Sequence, residues 1–410
     1  MFDDSSIIVG LEIGTSKVCA VVGEQNADPA GAGLNIIGLG QARSRGVRKG
    51  EIADPAQAEE DVRNAIVEAE QMADVEIRNV YLGVTGGHIR GFNNRGAHPV
   101  VSADREISED DVQDVIKNAK AINLPTENNV VHAIRQHFLV DGQDGVTNPV
   151  GMLGSRLEVD MHVVHGNTNR LQNAIRLVKG LQLDVDGIVF NGLASSLALL
   201  TNEQKELGAL VIDIGGGTTD YVVYANGVIK YTGVLAIGGD HVSNDLAYGL
   251  KVPLSRAEKL KLEHGSALLD GENKGQTVTI TNELGLPIKT INVEHLRQIM
   301  SLRLEEIFQL VAQNLEQAGL FNYLRAGVFL CGGCARVPHI AKLAEPILQM
   351  PVSLGQTNSI SGLKSALAQP EFITGIGLVK FGSFKTRKPE GRPSLAQGIK
   401  GTIASLLRRS

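Results

Sequence analysis

The sequence predicts an α/β protein whose two related lobes face one ligand. Three observations carry this. Residues 210–224 read LVIDIGGGTTDYVVY, an aliphatic run with one acid (Asp213), three glycines, two threonines, a second acid (Asp220) and another apolar run. That pattern is a buried strand, a tight turn whose backbone N–H groups can approach an anion without a Cβ in the way, and a returning strand. Residues 8–22, IVGLEIGTSKVCAVV, repeat it, with Glu12 opposite Asp213 and Gly14 opposite Gly215. One such hairpin is an ordinary turn more often than a site; two copies facing each other suit a polyphosphate with its magnesium. Third, 47 glycines and 43% hydrophobic residues in 410 fit a glycine-rich α/β chain with a sizeable core.

Taken in order, residues 7–42 predict a three-stranded meander (IIVGLEIG, VCAVVGE, LNIIGLGQA). Asp54-Pro55 starts a helix, with Asp as the cap and Pro in the first turn. VYLGV (80–84) is a fourth strand, closed by Thr85-Gly86-Gly87. Residues 88–164 change texture: HPVVS and NVVHAIRQHFLV are strand-like, Ser108 caps an acidic helix, and RLEVDMHVV resumes a core-like strand. This predicts an inserted α+β subdomain, more suited to docking than to catalysis. Thr168 is expected to cap a helix to Lys179, and DVDGIVF leads through Asn191-Gly192 into another. Gly238-Gly239-Asp240 opens a helix, Ser255 begins RAEKLKLEHG, and a polar β region at 266–290 precedes a long helix over about 292–318. AGVFL (326–330) is a strand running into CGGCARVPHI.

The net charge of −6, the 4% aromatic content and the absence of Trp argue against a nucleic-acid partner. Three cysteines (Cys19, Cys331, Cys334) are too few for a disulfide framework. The N-terminus, MFDDSS, is not a secretory signal, and no apolar run reaches the roughly 18 residues of a membrane span, so a cytoplasmic protein is expected. From residue 383 onward seven basic residues stand against one acid. Pro-rich 383–393 reads as a linker. In 394–410 Leu395, Ile399, Ile403, Leu406 and Leu407 share an arc of about 120° on a helical wheel, while Lys400, Arg408 and Arg409 lie outside it. This is a basic amphipathic helix suited to an anionic membrane surface, weak alone and strong through avidity on a polymer. The bland alternative is a helix packed on the body or a frayed tail.

Cys331-Gly-Gly-Cys334 invites a redox or zinc reading, but with no second pair a glycine turn on which a flat base can rest is preferred. His162 and His165, three apart on a strand, point to opposite faces and do not chelate. No HExxH, Walker-A loop or GxSxG elbow is present.

At this point the chain resembles the actin-superfamily ATPases, and within them the FtsA family of bacterial cell-division proteins. The resemblance rests on GLEIGTSKV, VIDIGGGTTD and GVFLCGGCARVPHI, with SRGVRKGEI, NPVGMLGSRLEVD, FNGLASSLALL, the insertion after the fourth strand and the basic tail. It implies an actin-like two-lobe ATPase fold of duplicated ribonuclease-H-like domains. The first lobe would be 1–87 and 165–200, the inserted subdomain 88–164, the second lobe 201–227 and 303–382, with 228–302 as its small subdomain. ATP and Mg²⁺ would lie between the lobes, held by Gly14, Thr15, Ser16 and Lys17 from one side and Gly215, Gly216, Gly217, Thr218, Gly238 and Gly239 from the other. Glu12 and Asp213 would position magnesium-bound waters, with no direct protein ligand to the metal. Glu258 and Lys261 would meet the nucleoside, and Gly332, Gly333 and Arg336 the base. The resemblance further implies polymerisation on the cytoplasmic face of the inner membrane at the division site, tethering of the FtsZ C-terminal peptide, and recruitment of later division proteins. Arg297 and Arg303 on the long helix are the candidates for that peptide. Relatives that hydrolyse ATP well carry Glu or Gln where this chain has Asn191, which implies slow hydrolysis. A pilus-assembly scaffold and a sugar kinase are the alternatives within the superfamily.

Overall fold

The computed structural model describes residues 6–25, 33–269, 274–281, 286–358 and 360–386. Two mixed sheets organise them. In the first, Leu34–Arg43, Lys17–Gln25 and Ser6–Ile13 form the expected antiparallel meander, and Asn79–Val84 and Asp184–Phe190 continue it in parallel. In the second, Val228–Leu235, Thr219–Ala225 and Ala209–Ile214 form the meander, and Val328–Cys331 and Val352–Leu354 run parallel beyond it. Order and direction are the same in both. The duplication suggested by the two hairpins extends to five strands each.

Helices cover both faces of each sheet, as parallel strands buried on two sides require. Pro55–Ala73 and Thr168–Gly180 pack on the outer face of the first sheet. Gly239–Gly249, Leu254–His264, Val293–Gln317 and Ile340–Leu348 pack on the outer face of the second. Between the sheets lie Asn191–Leu199 and Ile373–Thr386, whose apolar side chains join one core drawn from both lobes. Asp54 caps its helix as expected, accepting from the Gln57 N–H at 3.1 Å, with Pro55 in the first turn.

Several boundaries differ from expectation. Ile360–Gly362 pairs in parallel with Leu34–Arg43, and Ile373–Thr386 packs on the first sheet, so the end of 303–382 returns to the first lobe. Val228–Leu235 belongs to the second sheet rather than to a separate small subdomain, and residue 302 falls inside the helix Val293–Gln317. The helix Ile373–Thr386 runs past 383, where the linker is expected to begin, and the rest of that linker lies outside the described residues. The cap at 168 is Asn167, whose side chain accepts from the Arg170 N–H. In the inserted unit the strand expected at HPVVS is Arg90–Pro99, a largely polar run with no alternation to betray it. That strand forms a four-stranded antiparallel sheet with Arg156–Asn167, Asn128–Val140 and Gln143–Val146. The helix Glu109–Lys120 lies on it, closed by a capping box at Ser108. The amphipathic segment 394–410 lies outside the described residues.

Candidate functional site: a cleft between two glycine turns

The two turns are the same turn twice. In the first hairpin Glu12 pairs with Cys19, and the Gly14 N–H donates to the Lys17 carbonyl at 2.9 Å. In the second Asp213 pairs with Asp220, and the Gly215 N–H donates to the Thr218 carbonyl at 2.9 Å. The turns approach each other closely: a Cβ on Gly216 would lie 3.0 Å from Ser16 Cβ, a tight contact. Between the turns opens a cavity of about 780 Å³, within the range of small-molecule sites.

Most of the expected residues line this cavity: Glu12, Gly14, Thr15, Ser16 and Lys17 from one lobe, and Asp213, Gly215, Gly216, Thr218 and Gly239 from the other, with Glu258, Lys261, Gly332, Gly333 and Arg336. Gly217 and Gly238 back its wall instead. Gly217 packs on Lys49, and Gly238 fits where a Cβ would meet the Gly215 carbonyl at 2.5 Å. The Gly239 and Asp240 N–H groups donate to the Gly215 and Gly216 carbonyls, tying that helix start to the second turn.

The charges are arranged in pairs. Lys17 Nζ sits 2.8 Å from Glu12 Oε2. Burial, then the Asp213 charge, pushes the Glu12 carboxyl up against the opposing pull of Lys17. Burial works against the Lys17 ammonium, but the surrounding negative groups, Glu12 first, outweigh it and its pKa rises. Asp213 Oδ2 accepts from the Ser195 and Thr374 hydroxyls, each at 2.6 Å, which aims its carboxylate. Asp220, pushed well up by burial and by Asp213, accepts from Thr85 across the lobes at 2.5 Å and from Thr218 at 3.3 Å. Glu258 meets Lys261 Nζ at 2.7 Å and accepts from Ser243, and Lys261 Nζ also donates to the Gly239 carbonyl at 3.2 Å.

Residues to which the sequence assigns no ligand-binding role also shape the cleft. Thr85, Asp220 and Thr374 join the acid cluster, and Leu262, Val337 and Pro338 are apolar members of the lining, the last two next to Arg336 in the chain. SRGVRKGEI supplies a turn with Lys49 and Gly50 at φ +50° and +76°. The Gly50 N–H donates to Thr15 Oγ1 at 2.9 Å, so this turn braces the first glycine turn while touching the second at Gly217. Asn191 lines the cleft at a helix start, and its Oδ1 is buried with no hydrogen-bond partner among the described residues. Cys331 and Cys334 are free thiols; Cys331 lies beside Asp213, and burial pushes Cys334 up to about 11. Among the described residues no group of three or more His, Cys, Asp or Glu side chains is placed to hold a metal ion. Arg303 lies away from the cleft, engaged with Asp245 at 2.5 Å and with Glu306. Arg297 donates to the His264 carbonyl at 3.2 Å. His162 is buried and His165 packs edge-on to Phe92.

Duplicated sheets, an inserted sheet-and-helix unit and facing glycine turns define the actin-like ATPase fold. Solved structures agree on the fold. The type IV pilus PilM–PilN complex matches with a TM-score of 0.63 at 16% identity, over 92% of this chain and 98% of that one. MreB5 of Spiroplasma citri bound to ADP matches at 0.56 and 16%, over 92% and 97%. Within that class the sequence relatives are specific. The chain is 38% identical over 376 residues to cell division protein FtsA of Pseudomonas aeruginosa, covering 92% of this chain and 89% of that protein. It is 35% identical over 413 residues to the Escherichia coli K12 protein of that name, covering 99% and 97%. The family model for cell division protein FtsA matches residues 210–377, and that for the SHS2 domain inserted in FtsA matches 86–165. The chain belongs to the FtsA family of cell division proteins.

Proposed function

We propose that the chain binds ATP with its Mg²⁺ in the cleft and uses the bound state to assemble on the cytoplasmic face of the membrane at the division site. There it would hold FtsZ by its C-terminal peptide and help recruit later division proteins. The observation that carries the nucleotide reading is the pair of glycine turns in one register, one bearing Lys17, facing each other across a single cavity. Backbone N–H groups and Lys17 suit the phosphates, and the apolar lining of Val337 and Pro338 next to Arg336 suits a base. Bound magnesium would neutralise phosphate charge. With Asp213 aimed by two hydroxyls and Glu12 held by Lys17, these acids suit metal-bound waters better than direct ligation.

Hydrolysis should be slow. The side chain at the start of the interlobe helix is an amide, which cannot take a proton from water. Asp220 lines the same cavity, held by the Thr85 and Thr218 hydroxyls, and is the acid that would act if turnover proved fast. A sugar kinase shares the superfamily, but the 38% identical FtsA relative weighs against it. A pilus-type scaffold shares the fold, but the 38% identical FtsA relative and the matching inserted domain favour the division reading.

FtsZ binding through Arg297 and Arg303 would require an acidic peptide to compete with the intramolecular partners of Arg303. Among the described residues no helix is long and apolar enough to cross a membrane, so attachment falls to the tail. The test is sedimentation with anionic vesicles, with and without ATP, of the full chain and of a form lacking 389–410, which leaves the helix Ile373–Thr386 whole. Sedimentation lost only in the shortened form supports the adaptor reading; equal behaviour of the two forms overturns it.

A further inference from the structure

The inserted subdomain is attached in two unlike ways. Its covalent roots are in the first lobe: it leaves the strand Asn79–Val84 through Thr85-Gly86-Gly87 and returns through Gly166 into the helix Thr168–Gly180. Its sheet, however, rests on Val228–Leu235, the outer strand of the second sheet. That contact is polar and partly buried: Gln136, His162 and Thr232 are buried, while Asn93 is exposed. Asn93 Nδ2 donates to the Lys230 carbonyl at 3.0 Å, and Gln136 Nε2 donates to the Ile229 carbonyl at 2.5 Å and to Asn93 Oδ1 at 3.1 Å. His162 bridges Asn93 Oδ1 at 2.8 Å and Thr232 Oγ1 at 2.9 Å. With the Asn93 amide nitrogen committed to a carbonyl, its oxygen faces the histidine. Nδ1 of His162 therefore carries the proton, and Nε2 accepts from the Thr232 hydroxyl. Gly91 leaves the room: a Cβ there would run into Thr232 Oγ1.

Separating this joint would strip partners from several buried polar groups at once, which makes it stiff. The root is softer. Gly86 sits at φ +126°, and a Cβ on Gly87 would meet only Ala236, at 3.3 Å. The residue before them, Thr85, reaches the cleft, where it donates to Asp220.

We propose that the joint around His162 locks the inserted subdomain to the second lobe, so that closure of the lobes over a nucleotide swings the subdomain about Gly86-Gly87 relative to the first lobe. The proposal rests on the nucleotide reading above and adds to it how occupancy of the cleft reaches a surface far from it.

The test uses the full chain. Its three cysteines are buried, so cysteines introduced in pairs at exposed Val67 (first lobe), Val101 (inserted subdomain) and Tyr248 (second lobe) take spin labels selectively. Pair distances are read with and without ATP and Mg²⁺, and ATP binding is titrated in parallel. The expected result is a changed Val67–Val101 distance on binding and an unchanged Val101–Tyr248 distance. In an Asn93→Ala, Thr232→Val variant, which leaves the cleft and both roots intact, ATP should change Val101–Tyr248 instead; Thr232→Val alone serves if the double variant does not fold. Bound ATP with no change in Val67–Val101, or with movement of Val101 against Tyr248 in the unaltered joint, overturns the proposal. Absence of ATP binding in the titration sinks the nucleotide reading, and is seen before any distance is read.

Discussion

Glu12 and Asp213 occupy the same position of duplicated hairpins, yet their surroundings give them different work. Glu12 has a buried lysine as its counter-charge, while Asp213 has two hydroxyls that orient it without neutralising it. Asp213→Ala is therefore expected to weaken ATP binding at least tenfold in a labelled-ATP titration while leaving the fold intact. Lys17→Met removes the partner of a buried carboxylate and should cost about 3 kcal/mol in chemical denaturation. Phosphate release by the unaltered protein should stay well below about 10 per second, because Asn191 offers an amide where proton transfer needs a base. Turnover near that rate would show that another group, Asp220 first, acts as the base.

At the scale of elements, the telling contact is the crossing of Asn191–Leu199 and Ile373–Thr386 between the two sheets. Gly377 lies so close to the Ala194 carbonyl that any Cβ there must push the helices apart. Because this helix pair carries Asn191 and Thr374 into the cleft, such a push disturbs stability and site together. Gly377→Ala should destabilise by about 3 kcal/mol in thermal or denaturant unfolding, the upper range for overpacking. Gly180→Ala, with nothing within 4 Å of the added carbon, should be neutral or stabilise by up to about 1 kcal/mol. If the two variants unfold alike, the crossing is looser than described.

The whole molecule contains two histidines that must stay neutral. Burial pushes His132 and His162 down to about 4. His132 Nε2 accepts from the Phe190 N–H at 3.0 Å, which a protonated ring could not do. In the unfolded chain both take up protons near pH 6.5, so below that value the unfolded state binds more protons than the folded one. Stability is then fully present above pH 6.5, declines as pH falls, and levels off near 4, by at most about 3 kcal/mol for each histidine. Denaturation midpoints at pH 7, 5.5 and 4 measure the decline, and His162→Asn should flatten it. An unchanged slope in that variant would assign acid sensitivity to other groups.

The local patterns were legible from the chain alone. A strand, a glycine turn and a returning strand are written in consecutive residues, so both hairpins, their acids, Lys17 and the Asp54 cap could be read directly, as could the insertion from its change of texture. Arg90–Pro99 was not, because a polar strand carries no alternation until its sheet partners are known. The remainder depended on partners far apart in sequence. Thr85 meets Asp220 across 135 positions, and Asn93 meets Lys230 across 137. Ile373–Thr386 returns to the first sheet after the whole second sheet has intervened in the chain. No residue announces such a partner, since a hydroxyl or amide satisfies its hydrogen bond wherever the folded chain brings one; packing of the two lobes against a shared core selects which.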